Sequence, residues 1–240
     1  MTELLVITLG CFLAAFINAA FATGGVYIML AFMSAVLPIT ITIQLLPAFA
    51  LPSLLARILL FWQHIDWKIA KSFFGGAVIG VFLGGQIFVN LSEGYICLLI
   101  GCLILLFTWA PHISLPLPKS NVFLFAGTVH SFIGTLFGIG GIIQSLVVRT
   151  ELIKAQVTGT LAACLFSMGL LKLTSYLVNG FSYEIYWLHI CAAIAAGFIG
   201  AWLGKRTSIA ISDKLFRNIF KIITTLVAGR LLFKAVVALN

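Results

Sequence analysis

Charge is what this sequence has least of. Only 8% of its 240 residues are charged, against 62% hydrophobic, and the mean hydropathy is +1.20. A soluble domain carries about 25% charge, so a water-exposed globule is excluded. Acidic residues are scarcest, and none falls in the middle of an apolar run: Glu3, Asp66, Glu93, Glu151, Glu184 and Asp213 all lie at or near a boundary. That removes a carboxylate proton relay and leaves His130 as the candidate proton carrier. The five cysteines, Cys11, Cys97, Cys102, Cys164 and Cys191, sit in apolar runs with no CxxC pair. They read as small core residues, and neither a disulfide framework, a zinc site nor a cofactor is implied. Alternation in segments of about ten residues is absent, which excludes a membrane barrel. Long basic runs are absent too. The net charge of +8 is distributed over short loops, as expected of a cytoplasmic membrane face and not of a nucleic-acid surface.

What is present is a succession of apolar segments of about 17 to 25 residues, the length that crosses a hydrocarbon core of about 30 Å as a helix. The first, Leu4 to Ala22, ends in Ala19-Ala20-Phe21-Ala22, which looks like a signal-peptide cleavage site. Thr2-Glu3 precedes it in place of a basic region, so it is read as a helix of the protein. Two Gly-Gly breaks interrupt the apolar pattern, Thr23-Gly24-Gly25 and Gly138-Ile139-Gly140-Gly141. They are 116 residues apart, and that offset aligns much more. Ile17 meets Ile133, Phe21 meets Phe137, Gly24 and Gly25 meet Gly140 and Gly141, Leu30 meets Leu146, Thr42 meets Thr158, and Gly84 meets Gly200.

The pattern therefore reads as a duplication, residues 1–110 and 121–240, joined by a linker at 111–120 rich in proline and polar residues. Each half holds a helix, a glycine break, a short helix and three long helices. The expected ranges are 4–22, 24–37, 41–62, 69–90 and 95–110, then 121–137, 139–149, 155–178, 184–203 and 214–236. The short segments rise only about 21 Å, too little to cross comfortably.

Charge sets the topology. If each break turns the chain back, one face collects Lys68, Lys71, Lys119, Arg149, Lys154, Lys205, Arg206, Lys214 and Arg217. The other receives Glu3, Glu93 and Glu184, with Lys234 its main basic residue. A single crossing by each broken pair would scatter the basic loops over both faces. The positive-inside rule favours the turned-back path, with three crossings per half, both termini outside and the two halves inverted. Whether the hairpins are re-entrant or fully spanning is left open by charge.

Inverted repeats with discontinuous helices are how many transporters build a midplane site. Helices starting at Gly25 and Gly141 would present free N–H groups and a positive dipole end to an anion. Asn18 precedes the first break; His130 and Ser131 precede the second. Thr42 and Gln44 align with Thr158 and Thr160, near Pro47 and Pro52 in one half and Gly159 and Gly169 in the other, where unwound turns would expose backbone. Arg57 and Lys172 are deep cations at almost equivalent positions, Arg57 toward the cytoplasmic end and Lys172 toward the outside. They would draw an anion into either vestibule, or else snorkel to the headgroups. Lys214, Arg217 and Lys221 form a stripe suited to anionic lipid.

Ala22-Thr23-Gly24-Gly25 and Gly138-Ile139-Gly140-Gly141 open the two halves. With Ile39-Thr40-Ile41-Thr42, Gln156-Val157-Thr158-Gly159-Thr160, Trp62-Gln63-His64-Ile65-Asp66-Trp67 and Tyr176-Leu177-Val178-Asn179-Gly180-Phe181, the chain resembles the sulfite exporter TauE/SafE family of permeases over essentially its whole length. The resemblance implies movement of sulfite, sulfonates or other sulfur-containing organic anions. In the first repeat Phe21-Ala22 replaces the leading glycine, and neither repeat has a third consecutive glycine, so the substrate is left open.

The expectation is an all-α polytopic membrane protein of two inverted repeats in the cell inner membrane, a permease working by alternating access. Its substrate-binding residues would be Gly24, Gly25, Gly140, Gly141, Thr42, Gln44, Thr158, Thr160, Asn18, His130, Arg57 and Lys172. Its partners are a small anion and membrane lipids, with no nucleic acid; a homo-oligomer is left open. The rival is a nontransporting assembly or lipid-handling protein. An intramembrane enzyme with Ser131 as nucleophile fits poorly, because the adjacent His130 points about 100° away on a helix.

Overall fold

The computed structural model describes residues 1–21, 24–109, 121–140, 142–148, 150–207 and 213–239. Ten α-helices account for nearly all of them, with no strand among the described residues: α1 Thr2–Phe21, α2 Gly25–Val36, α3 Ile39–Leu60, α4 Trp67–Phe88, α5 Glu93–Trp109, α6 Val122–Phe137, α7 Ile142–Val148, α8 Lys154–Val178, α9 Trp187–Thr207 and α10 Asp213–Leu239. Short 3-10 turns precede α4 and α9. Helices α1, α3, α4, α8, α9 and α10 provide six segments long and apolar enough to cross a membrane. The chain is thus an all-α polytopic membrane protein. Helices α5 and α6, of 17 and 16 residues, rise only about 24 to 26 Å. The second members of the broken pairs are shorter still, 12 residues in α2 and seven in α7.

The helix ends repeat the 116-residue offset. Helix α1 ends at Phe21 and α6 at Phe137, 116 residues on, while α3 starts at Ile39 and α8 at Lys154, one residue short of that offset. Helix α3 runs unbroken through Pro47 and Pro52, and α8 through Gly159 and Gly169. The unwound turns expected there are absent. In the unbroken helices proline withdraws one N–H donor at each site and glycine lowers helix propensity, and neither opens the helix.

The helices form two compact units, and each draws on both halves of the sequence. The first holds α1, α2, the start of α3 as far as Phe49, α5, α9 and α10. In it α2 folds back along α1: Gly10 lies against Phe32, and Gly25 against Ala14 and Asn18. Helix α9 lies parallel to α1, Gly200 on the backbone of Phe12 and Gly204 on that of Phe16. Helices α5 and α10 are antiparallel, with Gly94 against Leu239 and Gly101 against Leu232. Further along, the Thr108 hydroxyl donates to Thr224 Oγ1 at 3.1 Å and Trp109 Nε1 to Thr225 Oγ1 at 3.1 Å; both pairs span 116 residues.

The second unit holds α3 from Ala50, α4, α6, α7 and α8. Helix α4 lies parallel to α6, placing Gly76 on Leu124 and Thr128, Gly80 on Thr128 and Phe132, and Gly84 on Phe132 and Thr135. The stripe Gly76-x-x-x-Gly80-x-x-x-Gly84 lets the two backbones touch, the usual basis of helix association in lipid. On the other side of α4, Phe74, Val78, Phe82 and Leu83 are exposed. A helix with small residues inward and large apolar ones outward suits a lipid surround. In α1 and α9 the same division holds, since Leu5, Leu9, Phe198, Ile199 and Trp202 are exposed.

Polar caps fix the helix ends. Asp66 Oδ1 accepts from the N–H groups of Lys68 and Ile69 at 2.9 and 3.1 Å, starting α4. Ile39 N–H at the start of α3 donates to Glu93 Oε1 at 3.0 Å. The end of α2 is held from α10, where Arg230 Nη2 and Lys234 Nζ donate to Ser34 O at 3.2 and 3.1 Å. Cations suit this negative dipole end.

The packing yields a direct test. A Cβ on Gly80 meets the Thr128 carbonyl and the Phe132 amide, whereas one on Gly197 meets nothing within 4 Å. Gly80→Leu is expected to lower stability by at least about 1–3 kcal/mol, as overpacking against backbone does. Gly197→Ala is expected to leave it unchanged or raise it by about 0.5–1 kcal/mol through helix propensity. Thermal unfolding in detergent micelles reads both; equal melting of the two variants would contradict the close α4–α6 contact.

Candidate functional site

The first break lies between α1 and α2. Gly24 adopts φ 100°, a left-handed conformation open to glycine, and stands as the N-cap of α2. The next amide, Gly25 N–H, donates to Asn18 Oδ1 at 2.9 Å. A Cβ on Gly25 would press on Ala14 O and on the Asn18 amide. Thus the amide expected to face an anion is bonded within the chain, because Asn18 is one turn short of the end of α1 and reaches across the break. Thr42, fully buried in the first turn of α3, has no partner for Oγ1. Gln44 is half-buried on the same helix.

The second break is richer. Helix α6 stops at Phe137, and Gly138, at φ 72°, closes it with its N–H on Gly134 O at 3.0 Å. Terminating a helix leaves its last carbonyls without helical donors. Two residues of α8 supply donors, one turn apart and so on one face. Lys172 Nζ donates to Gly134 O at 2.7 Å, and the Tyr176 hydroxyl donates to Thr135 O at 2.7 Å. Lys172 is 3% exposed and Tyr176 fully buried. The lysine therefore neither snorkels nor stands in an open vestibule: the C-terminus of α6 holds its ammonium inside. One of the three ammonium N–H groups is used there.

On the two helices that flank this break are buried polar atoms with no hydrogen-bond partner among the described residues. They are His130 Nδ1 and Ser131 Oγ on α6 and Gln144 Oε1 on α7. His130 is 2% exposed and Ser131 fully buried. A Cβ on Gly140 would come within 2.5 Å of His130 Cε1 and 2.8 Å of Nδ1, so glycine allows the break to close onto the imidazole. On the other side His130 meets the Phe73 ring, centroids 5.9 Å apart. Buried polar groups are ordinarily hydrogen-bonded, and these three atoms on the helices flanking one break depart from that rule.

The other expected residues lie elsewhere in the second unit or are already engaged. Thr160 Oγ1 accepts from Asp66 N–H at 2.9 Å and so anchors the start of α4. Thr158 is half-buried on the same turn of α8, and Arg57 is half-buried in the last turn of α3. Gly141, Ala22, Thr23, the linker with Lys119, and Arg149 lie outside the described residues, as do the side chains of Lys154, Lys205, Lys214 and Arg217. The structure thus joins Asn18 to Gly25 in one unit, and His130 to Gly140 and Lys172 to the end of α6 in the other. Sequence reasoning missed Gln144, Thr135 and Tyr176. Tyr176 carried a usable signal, its i+4 spacing from Lys172, as did Gln144, a lone amide in an apolar seven-residue helix. Since both His130 Nδ1 and Ser131 Oγ are unpartnered, this Nδ1 makes no nucleophile–base pair with the serine. No cluster of potential metal ligands occurs among the described residues.

A helical membrane protein whose interrupted helices border buried, unpaired polar groups has the build of a transporter. The model of the family described as sulfite exporter TauE/SafE matches residues 7–231, and the chain belongs to that family. It is a transporter family and not an enzyme family. No curated protein and no solved structure matches the chain.

The Asn18 cap is testable by hydrogen exchange. Asn18→Ala is expected to speed exchange in the first turn of α2 and to cost about 1 kcal/mol, the usual loss for an N-terminal cap. Asn18→Asp, which keeps the acceptor, is expected to retain protection. Unchanged exchange in Asn18→Ala would show that the Gly25 amide has another partner.

Proposed function

We propose that the chain is a permease for a small sulfur-containing oxyanion, sulfite or a sulfonate, working by alternating access between inverted repeats. The observation that carries this reading is the pair of unpartnered buried atoms His130 Nδ1 and Ser131 Oγ on the helix whose end holds the partly used ammonium of Lys172. The Ser131 hydroxyl, an imidazole N–H of His130 and the unused N–H groups of Lys172 are donors that a sulfonyl group of several oxygens would satisfy together, whereas Gln144 Oε1 can only accept. Gly140 keeps side chains away from the break, while Thr42 and Gln44 stand on one helix and Thr158 on its equivalent in the other half. Arg57 would bias anion entry from the cytoplasmic end, and Gly24, Gly25 and Asn18 shape the first break.

The α5–α10 crossing supports inversion. Two pairs there join a residue to its own repeat equivalent, as happens beside a two-fold axis, and the helices are antiparallel. A chain with an even number of crossings per half would run them parallel. The same path puts both termini outside and the basic loops at the cytoplasmic face. An anion leaving a cell negative inside gains about 2.3 kcal/mol per charge per 100 mV, so efflux needs no coupling ion.

The test is uptake of sulfite, sulfoacetate, taurine and thiosulfate into proteoliposomes with the membrane potential clamped at either sign. Potential-dependent movement of at least one anion is expected. No movement and no current would overturn the permease reading and favour a nontransporting assembly or lipid-handling protein. In the same assay Gly25→Leu and Gly141→Leu are expected to abolish transport with insertion intact; full activity in both would reduce the glycines to packing residues.

A further inference from the structure

The two breaks are alike in backbone and unlike in chemistry. At the 116-residue offset His130 corresponds to Ala14, Ser131 to Ala15, Gln144 to Ile28, Lys172 to Ala56 and Tyr176 to Leu60. Each polar member of the second break thus has an apolar equivalent in the first half. Ala14, Ala15 and Ile28 are themselves buried and pack as hydrocarbon. In the first unit Asn18 is spent on the Gly25 amide, and the orphan hydroxyl of Thr42 has no cation beside it among the hydrogen bonds and ion pairs of the described residues.

The charge at the second break is as informative as the orphans. Lys172 is its cation, and no carboxylate pairs with it among the described residues. Arg57 makes no side-chain hydrogen bond to the break among the described residues. The negative end of α6, already bonded to the ammonium, offsets part of that single positive charge. A buried charge must be balanced locally. Lys172 can balance one negative charge, and a second would stay uncompensated away from water.

We infer that the chain has one anion site, not two, built at the second broken helix from His130, Ser131 and Lys172, and that this site takes an oxyanion of single negative charge, a sulfonate or hydrogensulfite, in preference to a dianion. This rests on the permease reading and narrows it. The first break is then a structural counterpart: it reproduces the fold of the hairpin without the groups that would hold an anion.

The experiment is equilibrium binding to the full chain in nanodiscs at one neutral pH, with methanesulfonate as the monoanion and sulfate as the dianion, followed by calorimetry. One methanesulfonate per chain is expected, with sulfate weaker by about a hundredfold or more. Lys172→Met is expected to lose methanesulfonate binding and Lys172→Arg to retain part of it. Should Lys172→Met fail to fold, Ser131→Ala serves instead, with an expected loss of about tenfold in affinity. Sulfate bound as tightly as methanesulfonate, two anions per chain, or undiminished binding by whichever of the two variants folds would overturn the inference while leaving a permease. Absence of binding by either probe, together with no movement of any anion in the proteoliposome assay, would overturn the permease reading itself.

Discussion

A helix that ends inside a bilayer leaves backbone donors and acceptors where water cannot reach them, and every such group must be satisfied by the protein. That requirement governs how this chain spends its few polar side chains. The start of α2 takes Asn18, the end of α2 takes Arg230 and Lys234, and the start of α3 takes Glu93. The end of α6 takes Lys172 and Tyr176, Asp66 caps α4, and Gln156 Oε1 accepts Ile153 N–H ahead of α8. In a sequence with 8% charged residues, Lys172, Arg230, Lys234, Glu93 and Asp66 are all bound to helix termini. Cations sit at C-termini and acceptors at N-termini, the arrangement the helix dipole favours.

Holding the helices together falls to the glycines. The α4–α6 and α1–α9 contacts are both parallel crossings in which glycines of one helix meet the backbone of the other. In the first unit a hairpin from the N-terminal half packs on α9 from the C-terminal half, and in the second a hairpin from the C-terminal half packs on α4 from the N-terminal half. The two halves of the sequence thus exchange their fourth helices. Close backbone contact makes this exchange stable in lipid, where apolar area alone supplies little drive for helix association.

Much of this was legible in the residues. Helix positions followed from apolar length, and the breaks from Gly24-Gly25 and Gly138 to Gly140, since positive φ at Gly24 and Gly138 is a demand that glycine answers. The roles of the deep polar residues were not. Lys172 read as a vestibule cation because a one-dimensional pattern cannot tell a side chain reaching to the headgroups from one reaching to a neighbouring helix end. Thr160 read as a ligand group for the same reason, and its bond to Asp66 joins residues 94 apart. Pro47 and Pro52 predicted an opening in α3, yet the helix continues. The exchange of fourth helices was equally invisible, because likeness between the two halves of a sequence says nothing about which helix packs against which.

The cap at the second break leaves donors over. An ammonium drawn to the Gly134 carbonyl is fixed there, yet keeps two N–H groups that the cap does not use. Asn18 at the first break has a different economy: its acceptor oxygen is consumed, and an amide carries no net charge to offer. The same structural problem, an interrupted helix in lipid, is therefore solved in one half by a neutral side chain from the broken helix itself and in the other by a cation from α8. Only the second solution leaves ammonium N–H groups unused, at the end of a helix that also carries the unpartnered His130 Nδ1 and Ser131 Oγ, and that is the chemical difference between two similar hairpins.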